Sequence, residues 1–241
     1  MTTLFISDLH LEEGRPDITR AFSQFIRHEA IHAEALYILG DFFEVWLGDD
    51  FRSLLVTQII DLLKEVSDAG VPSYLMQGNR DFLIGEEFCQ AASCSLLNDP
   101  CVITLQNQPV LLCHGDHLCT EDKDYMAFRS TVRDPAWQNS FLAKPIDERI
   151  AVARNLRELS QTESQNKNSY ILDVTESEVI PFMESFGVTR LIHGHTHRPA
   201  IHSLQIKGQA AQRIVLGDWY TQSSILRVTD GNYDLNSIPF A

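Results

Sequence analysis

Five short apolar runs punctuate the chain: LFIS from Leu4, ALYIL from Ala35, VPSYLMQ from Val71, PVLLC from Pro109 and TRLIH from Thr189. Each gives way at once to glycine and polar residues, the pattern of a strand buried on both faces of an α/β sheet. Each run therefore predicts a strand. The block behind it predicts the loop leaving the strand's carboxyl end, where α/β enzymes keep their chemistry. The rhythm breaks once. Between the block at His114 and the strand at Arg190 to His193 no strand pattern occurs, but Leu142, Ile146, Ile150 and Ala153 recur at helical spacing. This predicts a helical insertion over about residues 120–170 within a single domain spanning 1–241.

The blocks themselves carry the chemistry. They read Asp8-Leu9-His10, Gly40-Asp41, Gly78-Asn79-Arg80-Asp81, His114-Gly115-Asp116 and Gly194-His195-Thr196-His197. One such block means little, since a lone His is more often structural than a ligand and glycine after a strand marks any tight turn. Five in series, each at a predicted strand end, are hard to explain as unrelated turns. Asp, His and Asn without Cys make an oxygen and nitrogen donor set suited to Mn, Fe or Zn. Two such ions a few ångströms apart acidify a shared water and neutralise phosphoryl oxygens during in-line displacement. Metal-assisted hydrolysis of a phosphoester or phosphoanhydride is the reaction class this predicts. Arg80, beside Asn79, is shaped to bind two phosphate oxygens in a fork that Lys cannot reproduce. Asp81, Asp116 and His117 have weaker claims: a carboxylate there could orient a ligating imidazole or simply cap a turn.

The order D-x-H, GD, GN, H and GHTH is similar to that of the calcineurin-like metallophosphoesterases, from residue 4 to about 217. Two blocks depart from that superfamily's usual pattern. Gly40-Asp41-Phe42-Phe43-Glu44 stands where GD-x-x-D is common, and GNRD where GNHD is common, so the histidine often assigned as general acid is missing. The longer stretches ISDLHL, LYILGDFFEVWLGDD, GNRDFLIGEEF, LCHGDHLCTEDKDY, LIHGHTHRPAIH and RIVLGDW resemble one branch of the superfamily. That branch cleaves the pyrophosphate of a UDP-linked diacylated glucosamine lipid in the lipid A pathway of Gram-negative bacteria.

The resemblance implies a four-layer α/β sandwich, two mixed sheets between helices, with a helical lid. It implies two Mn2+ ions, with Fe or Zn open by donor type. Asp8, His10 and His197 would hold one ion, and Asn79, His114 and His195 the other, with Asp41 bridging both. Hydroxide held by the ions would attack the α-phosphorus, helped by Asp41, Asn79, Arg80 and His195, and UMP and the diacyl sugar 1-phosphate would leave. Asn79, Arg80, Asp122, Ser160, Ser164, Lys167 and His195 fall at substrate-binding positions; close relatives carry another polar residue at the position of Ser164. For Asp122, Ser160, Ser164 and Lys167 the plain alternative is an exposed helix-surface residue. A lid that receives acyl chains follows from the resemblance alone, since the apolar stripe by itself predicts only a helix packed on the body.

Composition narrows the setting. At 241 residues and 44% hydrophobic the chain can bury a substantial core. Its five cysteines are an odd number without a C-x-x-C pair, so they predict small buried side chains in a reducing compartment rather than disulfides or a zinc knuckle. The amino terminus opens on a strand rather than a basic signal region, and no apolar run reaches membrane-spanning length, which predicts a cytoplasmic protein. A net charge of −14 argues against nucleic acid. Residues 120–167, with eight basic and eight acidic side chains, are neutral, so any contact with the cytoplasmic face of the inner membrane should be peripheral and made there. No protein partner is indicated. Two other classes stay open: a hydrolase of nucleotides or dinucleoside polyphosphates on the same fold, and a non-catalytic scaffold.

Overall fold

The computed structural model describes residues 2–166 and 173–240, with side chains over 2–157 and 173–240. Along the chain run β1 (Thr2–Ile6), α1 (Pro16–His28), β2 (Ala35–Leu39), α2 (Leu54–Asp68), β3 (Ser73–Met76), α3 (Glu86–Ala91), β4 (Ser95–Leu97), β5 (Cys101–Leu105) and β6 (Gln108–Cys113). Four helices follow, α4 (Lys123–Val132), α5 (Pro135–Leu142), α6 (Ile146–Asn166) and α7 (Glu176–Ser185). The chain closes with β7 (Arg190–His193), β8 (Ala200–Ile206), β9 (Gln209–Val215), β10 (Gln222–Thr229) and β11 (Asn232–Pro239). All five apolar runs are strands.

The strands form two mixed sheets, ordered β11-β10-β1-β2-β3-β4 and β5-β6-β7-β9-β8. Strands β1 to β4 run parallel, as do β6, β7 and β9; the edge pairings β1–β10, β10–β11, β5–β6 and β8–β9 are antiparallel. The continuous apolar runs have a simple cause: each central strand faces a different layer on either side. On β1, Leu4 and Ile6 pack with Phe22 of α1 and Ile59 of α2, while Phe5 points to the other sheet. On β6, Val110 and Leu112 meet that inter-sheet core, while Leu111 and Cys113 lie under Val179 and Met183 of α7. The result is helix, sheet, sheet, helix, a four-layer α/β sandwich.

The apolar stripe at Leu142, Ile146, Ile150 and Ala153 is not one helix. Pro145 separates α5 from α6, so Leu142 ends the first and the other three lie on the second. None of the four is fully buried, and the buried residue of this stretch is a charged one, Arg149, at 5% exposure. Its guanidinium donates to Asp50 at 2.6 and 2.8 Å, and to the carbonyls of Leu47 and Lys144 at 2.9 and 2.8 Å, pinning α6 to the loop after β2. Cys89, Cys113 and Cys119 are buried as expected, but Cys94 and Cys101 are only partly so. The helix α3 and the edge strand β5 on which they border leave one side open to solvent. No helix among the described residues is long and apolar enough to cross a membrane.

Candidate dinuclear metal site

The five loops meet at the carboxyl ends of β1, β2, β3, β6 and β7. Their backbones interlock before any side chain is considered: Asp8 N donates to Gly40 O at 3.1 Å, His10 N to Asp41 O at 3.0 Å, and Leu11 N to Phe42 O at 2.9 Å. Asp8, His10, Asp41, His195 and His197 all hold left-handed φ values, between 49° and 66°. Such non-glycine residues cost on the order of 1–3 kcal/mol each and persist only where surrounding structure over-determines them. Close approach explains two of the glycines. A Cβ on Gly78 would overlap the Asp41 backbone and carboxylate, and one on Gly194 would overlap the Asp8 carboxylate and the Ser7 hydroxyl.

Two donor groups result. Asp8, His10 and His197 converge in one, Asp41, His114 and His195 in the other. In the first, His10 Nε2 lies 3.3 Å from His197 Nε2, which is 3.3 Å from Asp8 Oδ1. In the second, Asn79 Oδ1 lies 2.9 Å from His114 Nε2 and 2.8 Å from His195 Nδ1. Asp41 reaches both, with Oδ1 3.6 Å from His114 Nε2 and Oδ2 3.8 Å from His10 Nε2. His195 and His197, one residue apart, fall in different groups.

The donor chemistry fits cations. His114 Nδ1 donates to Leu39 O at 2.9 Å, and Nε2 faces the acceptor Asn79 Oδ1 at 2.9 Å, an approach that the neutral ring alone cannot satisfy. Facing acceptors require a proton or a metal ion between them, and a ligating imidazole held by a backbone carbonyl is a recurrent metal-site feature. The electrostatics agree. Burial would lower the His114 pKa, but the carboxylates of Asp41, Asp8 and Asp116 raise it to about 9. Burial would raise that of Asp8, but His197, His114 and His10 hold it well below the usual carboxylate range. His195 is pushed down to about 4 by burial and by His114. The carboxylates draw positive charge to His114, while His195 is kept neutral.

Arg80 is half-buried beside this centre. Its backbone N–H donates to Asp41 Oδ1 at 2.8 Å, and its Nη1 lies 4.0 Å from Glu44 Oε1. With Asn79 it opens a largely apolar cavity of about 190 Å³, walled by Trp46, Phe82, Phe128 and Leu156. Asp122 is not an exposed helix-surface residue: at 7% exposure it caps α4 by accepting from Tyr125 N at 3.0 Å. Ser160 and Ser164 fall on α6, and Lys167 lies outside the described residues. Asp81 is a turn fastener, accepting from Gly78 N at 2.7 Å and from Phe42 N and Phe43 N at 2.8 and 3.2 Å. Asp116 neither orients an imidazole nor caps its turn through Oδ2. That oxygen accepts from Tyr125 Oη at 2.7 Å and Arg129 Nε at 2.8 Å, tying α4 to the loop after β6.

Three site residues escaped sequence reasoning. Glu44 Oε2 sits 2.8 Å from His10 Nδ1, and its other oxygen 3.2 Å from Arg157 Nη2. Its place in the departing GD-x-x-E block was the available signal. Tyr125, stacked on His195 at 5.9 Å between ring centres, and Arg157 reach the centre only through the docking of α4 and α6, which no local pattern reveals.

Residues 1–199 match the family model of the calcineurin-like phosphoesterases. The UDP-2,3-diacylglucosamine hydrolase of Chromohalobacter salexigens is 55% identical over 219 residues, 91% of this chain and 89% of its own. Its counterpart in Stenotrophomonas maltophilia is 52% identical over 245 aligned residues, 99% of each chain. That of Pseudomonas syringae pv. syringae is 52% identical over 237, 98% of this chain and 96% of its own.

Proposed function

Because the chain belongs to the calcineurin-like phosphoesterase family, we propose that it hydrolyses the pyrophosphate bond of UDP-2,3-diacylglucosamine, releasing UMP and 2,3-diacylglucosamine 1-phosphate. The names of its relatives support the substrate. The observation that carries the reading is the junction at Asn79 and Arg80, which line the apolar cavity while Asn79 Oδ1 lies against His114 and His195 and the Arg80 backbone N–H donates to Asp41. A polar phosphoanhydride and greasy acyl chains belong to one substrate, and that junction offers a place to each.

Two divalent ions, Mn2+ in this reading, would supply a water-derived nucleophile at neutral pH and charge neutralisation at the α-phosphoryl group. The chain's own residues do the rest. Asp8, His10 and His197 would hold one ion and Asn79, His114 and His195 the other, with Asp41 shared between the two groups. Arg80 forks two oxygens of the diphosphate and stabilises charge as the α-phosphorus becomes pentacoordinate. A sugar 1-phosphate is a weakly basic leaving group, so charge neutralisation by Arg80 can replace the missing general-acid histidine. His195 holds the phosphate and gives what proton help is needed. Asp122, Ser160, Ser164 and Lys167 are read as substrate contacts, the first three at or on the cap formed by α4, α5 and α6, which belongs to the same single domain. The neutral cap would also make peripheral contact with the cytoplasmic face of the inner membrane.

The test is hydrolysis of UDP-2,3-diacylglucosamine in detergent with Mn2+, with and without chelator, resolving both products. Chelator-sensitive release of UMP together with the diacyl sugar 1-phosphate is the expected result. Metal-dependent cleavage of a generic aryl phosphodiester without turnover of the lipid would keep the metal site and discard the substrate.

A further inference from the structure

A third convergence of donor atoms lies behind the dinuclear centre. Oxygen of Asp99, Sγ of Cys113 and nitrogen of His117 come within 4.8 Å of one another, the same criterion that the two groups above meet. The three residues come from different places: the loop between β4 and β5, the last residue of β6, and the turn after His114. Cys113 and His114 are neighbours that point to opposite faces, as consecutive residues leaving a strand do. His114 faces the dinuclear centre; Cys113, fully buried, faces α7.

The polar atoms here are short of partners. Asp99 Oδ1 accepts from His114 N at 3.1 Å, but its Oδ2 is buried without a hydrogen bond, and so is His117 Nε2. The Asp99 side chain is only 5% exposed. Asp116 Oδ1, in the same network, is also unpartnered. Buried polar atoms left this way pay their desolvation without return, so several in one spot call for a shared partner. Arg129 does not fill that role for Asp99. Its Nη2 is 3.9 Å from Asp99 Oδ2, beyond hydrogen-bond distance, because its Nε is committed to Asp116 at 2.8 Å.

Charge points the same way. Two carboxylates against one guanidinium leave the cluster one unit negative, and two units once the thiol is ionised. A divalent cation would bring it to neutrality. We propose that Asp99, Cys113 and His117 form a third cation site, structural in role, that takes a borderline divalent ion, zinc by donor type. One sulfur, one imidazole nitrogen and one carboxylate oxygen suit Zn2+ far better than Mn2+. Binding expels the Cys113 thiol proton to solvent as the metal–sulfur bond forms. The bound ion fastens the β4–β5 loop to both flanks of His114, fixing the backbone from which that ligand projects.

The test uses the full chain, stripped with chelator and titrated with Co2+ alone. The dinuclear donor set contains no sulfur, so a thiolate-to-cobalt charge-transfer band reports on the third site. The wild type is expected to bind three equivalents, with the near-ultraviolet band. Cys113→Ser should bind two and lack the band. His117→Gln, which leaves the buried sulfur in place, should weaken the band-forming step at least tenfold and serves if Cys113→Ser does not fold. A wild type that stops at two equivalents with no band would show that the cluster holds water instead. A band that survives in Cys113→Ser, or is unmoved in His117→Gln, would equally overturn the proposal.

Discussion

Glu44 Oε2 lies 2.8 Å from Nδ1 of His10, the ring nitrogen opposite the one that faces His197 and Asp41. The distance suits a hydrogen bond although the angle does not yet complete one. A carboxylate on the far nitrogen of a ligating imidazole fixes its tautomer and raises its basicity, and losing such a partner typically costs 10- to 100-fold in metal affinity or activity. Glu44→Gln is therefore expected to raise the Mn2+ concentration needed for half-maximal turnover by about tenfold or more. Unchanged metal dependence would remove Glu44 from this role.

Arg80→Lys keeps the charge and loses the fork. Hydrogen bonds to charged groups contribute about 1.5–3 kcal/mol, so kcat/KM should fall by about 10- to 100-fold. Metal content, measured by elemental analysis, should not change, because Lys keeps the backbone N–H to Asp41 and the positive charge near Glu44, and the Arg80 side chain pairs with Glu44 and not with the two donor groups.

Gly78→Ala places a methyl against the Asp41 backbone and carboxylate. Neither neighbour can yield without moving Asp41, the proposed bridge, so the variant should lose about 1–3 kcal/mol of stability and bind metal poorly. Urea unfolding and metal stoichiometry together check this. Normal metal uptake would mean that the two loops separate more easily than their shared hydrogen bonds suggest.

Removal of the ions should destabilise the whole chain. Saturation at 100 times the dissociation constant contributes about 2.7 kcal/mol per site, which for a domain of this size corresponds to roughly 5–10 °C in Tm for each ion removed. Thermal melts with Mn2+ and with excess chelator give the comparison. Coincident melts would argue that the two donor groups do not bind metal in the folded chain.

His193 gives a pH signature of its own. Its Nδ1 donates to Gly194 O at 2.9 Å and its Nε2 faces Arg213 Nη1 at 3.5 Å, an arrangement open only to the neutral ring. Burial, with Arg213 adding to it, pushes the pKa down to about 3. A histidine with a depressed folded pKa takes up its proton first in the unfolded chain, so its effect on stability appears as pH falls below about 6.5 and grows toward the folded value. From pH 6.5 to 5 the wild type should lose about 2 kcal/mol more than His193→Gln, at roughly 1.4 kcal/mol per pH unit. Parallel losses in urea titrations would show that His193 protonates in place.

The five strands and the chemistry of their loops were legible along the chain because both are local. A central strand needs apolar residues on both faces, and a ligand loop needs Asp, His or Asn within a few residues of the strand end. Asp8, His10, Asp41, Asn79, His114, His195 and His197 all lie in loops leaving the carboxyl ends of predicted strands. Asp116 shows its limit: the residue stood out in its motif, but its partners Tyr125 and Arg129 come from a helix whose docking no nearby residue encodes. The same holds for the split at Pro145, where helical spacing ran on across a break.

By itself, the sequence determined the sheet strands, the kinds of side chain in the loops that leave them, and the family. The tertiary structure decided that Glu44 backs His10, that a buried arginine and not an apolar stripe fastens α6, and that Asp99 meets Cys113 and His117. Apolar periodicity and strand-end motifs act over a few residues and leave a local trace. Ion pairs and converging donors depend on groups brought together by loop and cap geometry, and a single chain leaves no pattern for those distances.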